Sequence, residues 1–193
     1  KTELDSLESN YQSKKNALNA KNNEISEREN KISDYESRIS RLTSEIDELE
    51  RTISSLNSSV SSYNQRVEAQ NSVIDGIKSD IQKQNSIISD SSATNEEKIA
   101  AISRRTRLNS ELTTAQRELT SRKNELENAQ SQLSTAKSEK TKKENEKRNL
   151  IVALNSERAA LATAKSQAEV LKTEYSNALS NYNSAKKNYD ADE

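Results

Sequence analysis

The sequence predicts an all-α protein, a long two-helix antiparallel coiled-coil hairpin, on three observations. The chain of 193 residues contains one Gly and no Pro, so it lacks the residues that punctuate helices and build the turns of α/β or all-β domains. Its apolar residues recur at alternating steps of three and four, the spacing of a helix with a narrow apolar seam. The repeat is interrupted once, near the middle. The alternative architecture for the same pattern is an extended parallel coiled-coil dimer with a flexible break.

The first helix is read over 1–88. Its first core column, position a of the heptad, is Leu4, Tyr11, Leu18, Ile25, Ile32, Ile39, Ile46, Ile53, Val60, Val67, Ile74, Ile81 and Ile88. The second column, d, is mixed: Leu7, Lys14, Lys21, Arg28, Tyr35, Leu42, Leu49, Leu56, Tyr63, Gln70, Ile77 and Gln84. Residues 89–94 are read as the turn, because Ser, Asp and Thr side chains compete for nearby backbone groups and favour turns and helix starts. Thr94 and Glu97 have the spacing of a capping box, in which hydroxyl and carboxylate each satisfy an orphaned backbone N–H.

The second helix is read over 95–193. Its phase is unsettled across Ile99 to Ile102 and locks from Leu108 onward. Position a then holds Leu112, Leu119, Leu126, Leu133, Lys140, Lys147, Leu154, Leu161, Ala168, Tyr175, Tyr182 and Tyr189. Position d holds Leu108, Ala115, Arg122, Ala129, Ala136, Lys143, Leu150, Glu157, Ala164, Leu171, Ala178 and Ala185. Two helices of similar length joined by a short break read as an αα-hairpin, each arm about 130 Å long at 1.5 Å per residue. Antiparallel layers pair an a residue with a d residue, so facing residue numbers add to a multiple of seven. A sum of 189 sets large against small at Ile74/Ala115, Val60/Ala129 and Ile25/Ala164, and Gln84 against Arg105; a sum of 182 is the competing register.

Composition excludes most chemistry. There is no Cys and no His, so thiolate or imidazole metal sites, Ser-His and Cys nucleophiles and disulfide frameworks are ruled out. A lone Gly76 cannot build a phosphate-binding loop. Hydrophobic residues make up 30% of the chain, below the roughly 45–50% of globular domains, yet a net charge of -1 and the lack of Pro separate it from typical disordered chains. Glu96/Glu97 and Glu144/Glu146 are paired carboxylates, but a thin helical pair has no cavity for a substrate. The expectation is therefore a protein that is not an enzyme, with no cofactor, no metal and no small-molecule substrate.

Polar residues interrupt the seam in two places. Lys14, Lys21 and Arg28 fill three successive d positions. Lys140, Lys143 and Lys147 fill three successive core slots opposite Leu49, Ile46 and Leu42. Their stems are expected to lie along the seam and carry the charge outward, towards Glu45, Glu48 and Glu50 for the second group. The functional reading is that such layers loosen the arm or fix register and oligomeric state. Glu157, the one acidic core residue, is within reach of Arg28.

Beside the turn the apolar stripe widens. Val73, Ile87, Ile99 and Ile102 lie outside the core columns, and with Ile88 and the basic group Arg104, Arg105 and Arg107 they form a candidate docking site for a protein partner. Local packing while the second helix settles its phase accounts for the same residues. Three arginines on a near-neutral chain are too few for nucleic-acid binding. The six tyrosines, at 11, 35, 63, 175, 182 and 189, all fall in the core columns, where rings pack and hydroxyls reach water. Ser and Asn make up about a quarter of the chain; neither is a good helix former, and their short side chains give a surface along which other rods could lie. Asn57-Ser58-Ser59 is a glycosylation pattern of the kind chance supplies in a Ser-rich chain.

No 18-residue apolar run is present, so no segment is expected to insert in a membrane. Residue 1 is Lys and no signal peptide is visible, which reads as a processed product or a piece of a longer protein. Absence of Cys fits any redox compartment, and the surface leans towards an extracellular or extracytoplasmic assembly.

On its heptads alone the chain resembles long coiled-coil hairpins as a class: the arms of chromosome-organising ATPases, the periplasmic hairpins of bacterial membrane-fusion adaptors, and coiled-coil surface or granule-matrix proteins. Such an arm would extend from nucleotide-binding ends and such an adaptor from a β-rich domain, neither of which these residues contain. The resemblance to a self-contained structural polypeptide implies a rod that self-associates or builds a filament, matrix or surface assembly, its partners being itself or other coiled-coil proteins. The second functional expectation is a spacer or adaptor arm whose tip docks a protein.

Overall fold

A computed structural model describes residues 2–192, the side chain of residue 192 excepted. Two helices account for nearly all of it: α1 spans Thr2–Ser89 and α2 spans Asn95–Asp192, packed against each other as a helical hairpin, with no strand among the described residues. The turn between them is built by its own polar side chains. Asp90 Oδ1 accepts from the backbone N–H of Ser92 at 2.8 Å and from its hydroxyl at 2.6 Å, and these two bonds hold the Asp90 carboxyl below its usual titration range. At the start of α2, Thr94 Oγ1 accepts from the Glu97 N–H at 3.2 Å while Glu97 Oε2 accepts from the Thr94 N–H at 2.7 Å. Two orphaned donors are satisfied reciprocally, as a capping box requires.

The chain is rich in Ser and Thr, and many of their hydroxyls fold back on their own helix. Ser58 and Ser59 donate to the carbonyls of Ser54 and Ser55, and Thr113 and Thr114 to those of Asn109 and Ser110. The side chains that would otherwise draw the backbone into turns are thereby occupied one turn back.

Contacts divide the hairpin into two units, Lys1–Glu45 with Lys143–Glu193, and Ile46–Lys142. In the first, the most buried apolar residues are Leu42, Leu150, Leu154, Ala164, Ala168 and Ala178. In the second they are Ile46, Ile74, Ala101, Ala115, Ala129 and Ala136, joined by Gln70. All of these occupy a or d positions. Small residues dominate because a two-helix seam shields a long side chain from only one direction. Alanines sit at its centre, whereas Leu133, Leu161 and Ile53 remain half-buried.

Cross-hairpin bonds give the register in each unit. In the first, Lys14–Glu174 at 2.6 Å, Arg28–Glu157 at 2.8 Å, Arg38–Glu146 at 3.8 Å, Lys143–Glu45 at 2.7 Å, Arg158–Glu36 at 2.6 Å and Lys165–Glu29 at 2.9 Å join α1 to α2. Their residue numbers add to values between 184 and 194. In the second unit, Lys140–Glu50 at 2.9 Å, Arg66–Glu125 at 3.8 Å and Arg105–Asn85 at 3.1 Å add to 190 or 191. Both ladders centre near 189, not 182.

The structure corrects the expected phase of α2 near the turn. The frame does not settle late: it runs back from Leu108 through Arg105 and Ala101 to Lys98, all at least half-buried, with Ala101 only 1% exposed. Ile99 and Ile102 fall outside that frame and stand in solvent, 67% and 43% exposed. The sequence pattern sets both isoleucines outside the core columns, and their exposure agrees with that placement. The residue buried between them is Ala101, which holds the d position one heptad before Leu108.

Candidate interaction site

The residues singled out beside the turn do not form one patch. Ile87, Ala93 and Ala100 line an open hollow with Asp90, Glu97 and Arg104 on one side of the hairpin. Ile102 lies on the other flank, that of Asn85, where Arg105 Nη1 donates to Asn85 Oδ1; Ile99 is one turn before it in sequence along the same outer face. Ile88 is half-buried in the seam. The three arginines diverge as well: Arg104 borders the hollow, Arg105 is drawn into the seam, and Arg107 lies 3.6 Å from Glu111 on its own helix. A basic cluster in sequence is thus dispersed by the 100° rotation per residue.

Within the seam, the polar layers find partners. Lys21 Nζ lies 2.6 Å from Glu24 Oε2, and Arg28 reaches both Glu24 at 3.0 Å and Glu157 across the hairpin at 2.8 Å. The Lys21 ammonium, and then the Arg28 guanidinium, hold the Glu24 carboxyl below its usual range; Glu24 and then Glu157 raise Arg28. Lys14 pairs with Glu174. Lys140 and Lys143 carry their charges to Glu50 and Glu45. Lys147 is half-buried.

Gln70 is buried and donates from Nε2 to the Ala115 carbonyl at 2.9 Å. It spends a d position on a specific bond between helices. Gln84 behaves differently from the polar pairing expected with Arg105: the guanidinium turns to Asn85 and Gln84 Oε1 is buried without a hydrogen-bond partner. Tyr11 and Tyr182 pack with ring centroids 4.8 Å apart and planes tilted by 42°. Arg66 lies over Tyr63, 5.9 Å from its centroid. Tyr189 is more exposed than the other tyrosines, so it thickens the seam less than its heptad position suggests.

Residues the sequence reading passed over are Ile151, Val152 and Val170, which are 39%, 65% and 59% exposed on α2. A signal for the first pair was present: Leu150 to Leu154 is a run of five apolar residues, of which the heptad uses only the first and last. Among the described residues no group of three or more metal-ligating side chains converges, and no helix is long and apolar enough to cross a membrane.

The class these features define is the antiparallel coiled-coil hairpin. Compared with family models, with curated proteins and with solved structures, the chain matches none.

Proposed function

We propose that the protein is a non-enzymatic structural coiled-coil element that works by self-association, contributing to a filament, matrix or surface assembly. The observation that carries this reading is the distribution of apolar surface. The seam employs only the a and d columns, while Ile151, Val152, Val170 and Ile99 stand exposed on faces otherwise made of Ser, Asn and balanced charge. Adjacent exposed aliphatics such as Ile151 and Val152 supply an apolar surface against which a further helix can pack. Sedimentation of the full chain over a wide concentration range tests it. Mass that rises with concentration is expected; a monomer at every concentration contradicts it.

A second reading is favoured by Ile99 and Ile102, which present adjacent apolar side chains one turn apart beside the turn. The hairpin is then a spacer or adaptor arm that docks another protein there. A photocrosslinker at residue 99 that labels one defined non-self protein, and loses it on Ile102→Glu, supports this reading. Labelling of second copies alone removes it.

A further inference from the structure

The run Leu150-Ile151-Val152-Ala153-Leu154 has two jobs on one helix turn. Leu150 and Leu154 are buried in the seam, whereas Ile151 and Val152 point away from it. One heptad before and one heptad after Ile151, on the same column of α2, stand Glu144 and Arg158. Opposite charges therefore flank Ile151 at equal distances along the helix. Arg148 and Asn155, one turn to either side, are polar groups of complementary hydrogen-bonding type.

We propose that this face of α2 is a contact with a second copy of the chain, the two α2 helices crossing antiparallel about a twofold axis beside Ile151 and Val152. An antiparallel crossing about an axis between these two residues lays the Ile151-Val152 pair of one copy over the same pair of the second. The same operation lays Glu144 over the second copy's Arg158, and Arg158 over its Glu144. It lays Arg148 over the second copy's Asn155, again twice. An isologous contact needs self-complementarity of this kind, the same patch serving both partners. A parallel pairing of the same faces would instead stack Glu144 on Glu144 and Arg158 on Arg158, so the charges select the antiparallel form. Arg158 already reaches Glu36 of its own chain at 2.6 Å through one nitrogen, and its planar fork has further donors for a second carboxylate. The apolar centre is small, with polar groups at its rim, which fits a weak and repeated lateral contact, not an obligate dimer.

The inference rests on the self-association reading, and the test separates the two. The chain has no cysteine, so Val152→Cys in the full chain introduces a single thiol. Under mild oxidation it should give a disulfide-linked dimer, because two Cβ atoms beside a twofold axis come within the roughly 3.5–4.5 Å that a disulfide requires. Val170→Cys and Ile99→Cys, exposed elsewhere on α2, should crosslink at least ten times more slowly. Glu144→Arg alone should weaken self-association at least tenfold in sedimentation, and Glu144→Arg with Arg158→Glu should restore it, with helicity by circular dichroism unchanged throughout. Self-association that persists while Val152→Cys crosslinks no faster than the controls, or while the double charge swap fails to restore what the single swap removed, overturns the assignment of this face and leaves the broader reading standing. A wild-type chain that does not associate at all overturns both.

Discussion

Exchanging the two sides of one core layer tests packing in the Ile46–Lys142 unit. Ile74 is 5% exposed and sits in the layer of Ala115, which is equally buried. Ile74→Ala removes three carbons; at about 0.8 kcal/mol per buried methylene the transfer loss is roughly 2.4 kcal/mol, to which the part of the gap that does not collapse adds a smaller contribution. Ala115→Ile alone puts those carbons into a filled layer and should cost about 1–3 kcal/mol through overpacking. Together the two substitutions return the volume to the layer from the opposite helix. The double variant should therefore lie within about 1 kcal/mol of the unmodified protein, a coupling of roughly 2 kcal/mol or more. Urea unfolding followed by circular dichroism at 222 nm measures all four chains. Additive losses in the double variant would refute the facing of these residues.

Replacing Lys140, Lys143 and Lys147 by Leu should raise the melting temperature, since each half-buried core slot gains apolar burial while the ion pairs to Glu50 and Glu45 that are given up are partly exposed, each worth about 0–1 kcal/mol; an unchanged or lowered melt contradicts this. Gly76→Ala should stabilise α1 by about 1 kcal/mol, because nothing lies within 4 Å of an added Cβ and no positive backbone φ is present to strain it; a loss in urea midpoint would show a constraint at that position. Glu24 titrates below its usual range in the folded chain because of Lys21 and Arg28, so its contribution is present above the ordinary carboxylate pKa and is lost as the pH falls through the lowered one. Thermal melts should therefore drop less steeply on acidification for Glu24→Gln than for the unmodified chain; identical slopes contradict the assignment.

How much of this could be read without coordinates depends on which residues set the outcome. The two core columns of α1 and of α2 from Leu108 are legible because seam periodicity is written in residue type, and Thr94 with Glu97 is legible because the capping box has a fixed spacing. The continuity of the frame back through Arg105, Ala101 and Lys98 is not, since two cations and an alanine carry no apolar signal although all three are at least half-buried. Arg104, Arg105 and Arg107 look like a cluster in one dimension and separate on the helix surface. Lys21 bonds Glu24 on its own helix although its core position points across the seam, a choice made by side-chain reach. The exposed Ile151 and Val152 were hidden by their neighbours, because a run flanked by two core leucines looks like more core.

Within each unit, α1 and α2 of one chain pair antiparallel in the register that sets residue i near 189 - i. Two double-cysteine variants test it, Ile74→Cys with Ala115→Cys and, in the other unit, Ile25→Cys with Ala164→Cys. On mild oxidation at low protein concentration both should close rapidly to an intramolecular disulfide, migrating as a compact single chain in denaturing gels. Disulfide-linked dimers through identical positions would contradict the hairpin in favour of a parallel pair, and faster closure of Ile74→Cys with Leu108→Cys would contradict the register.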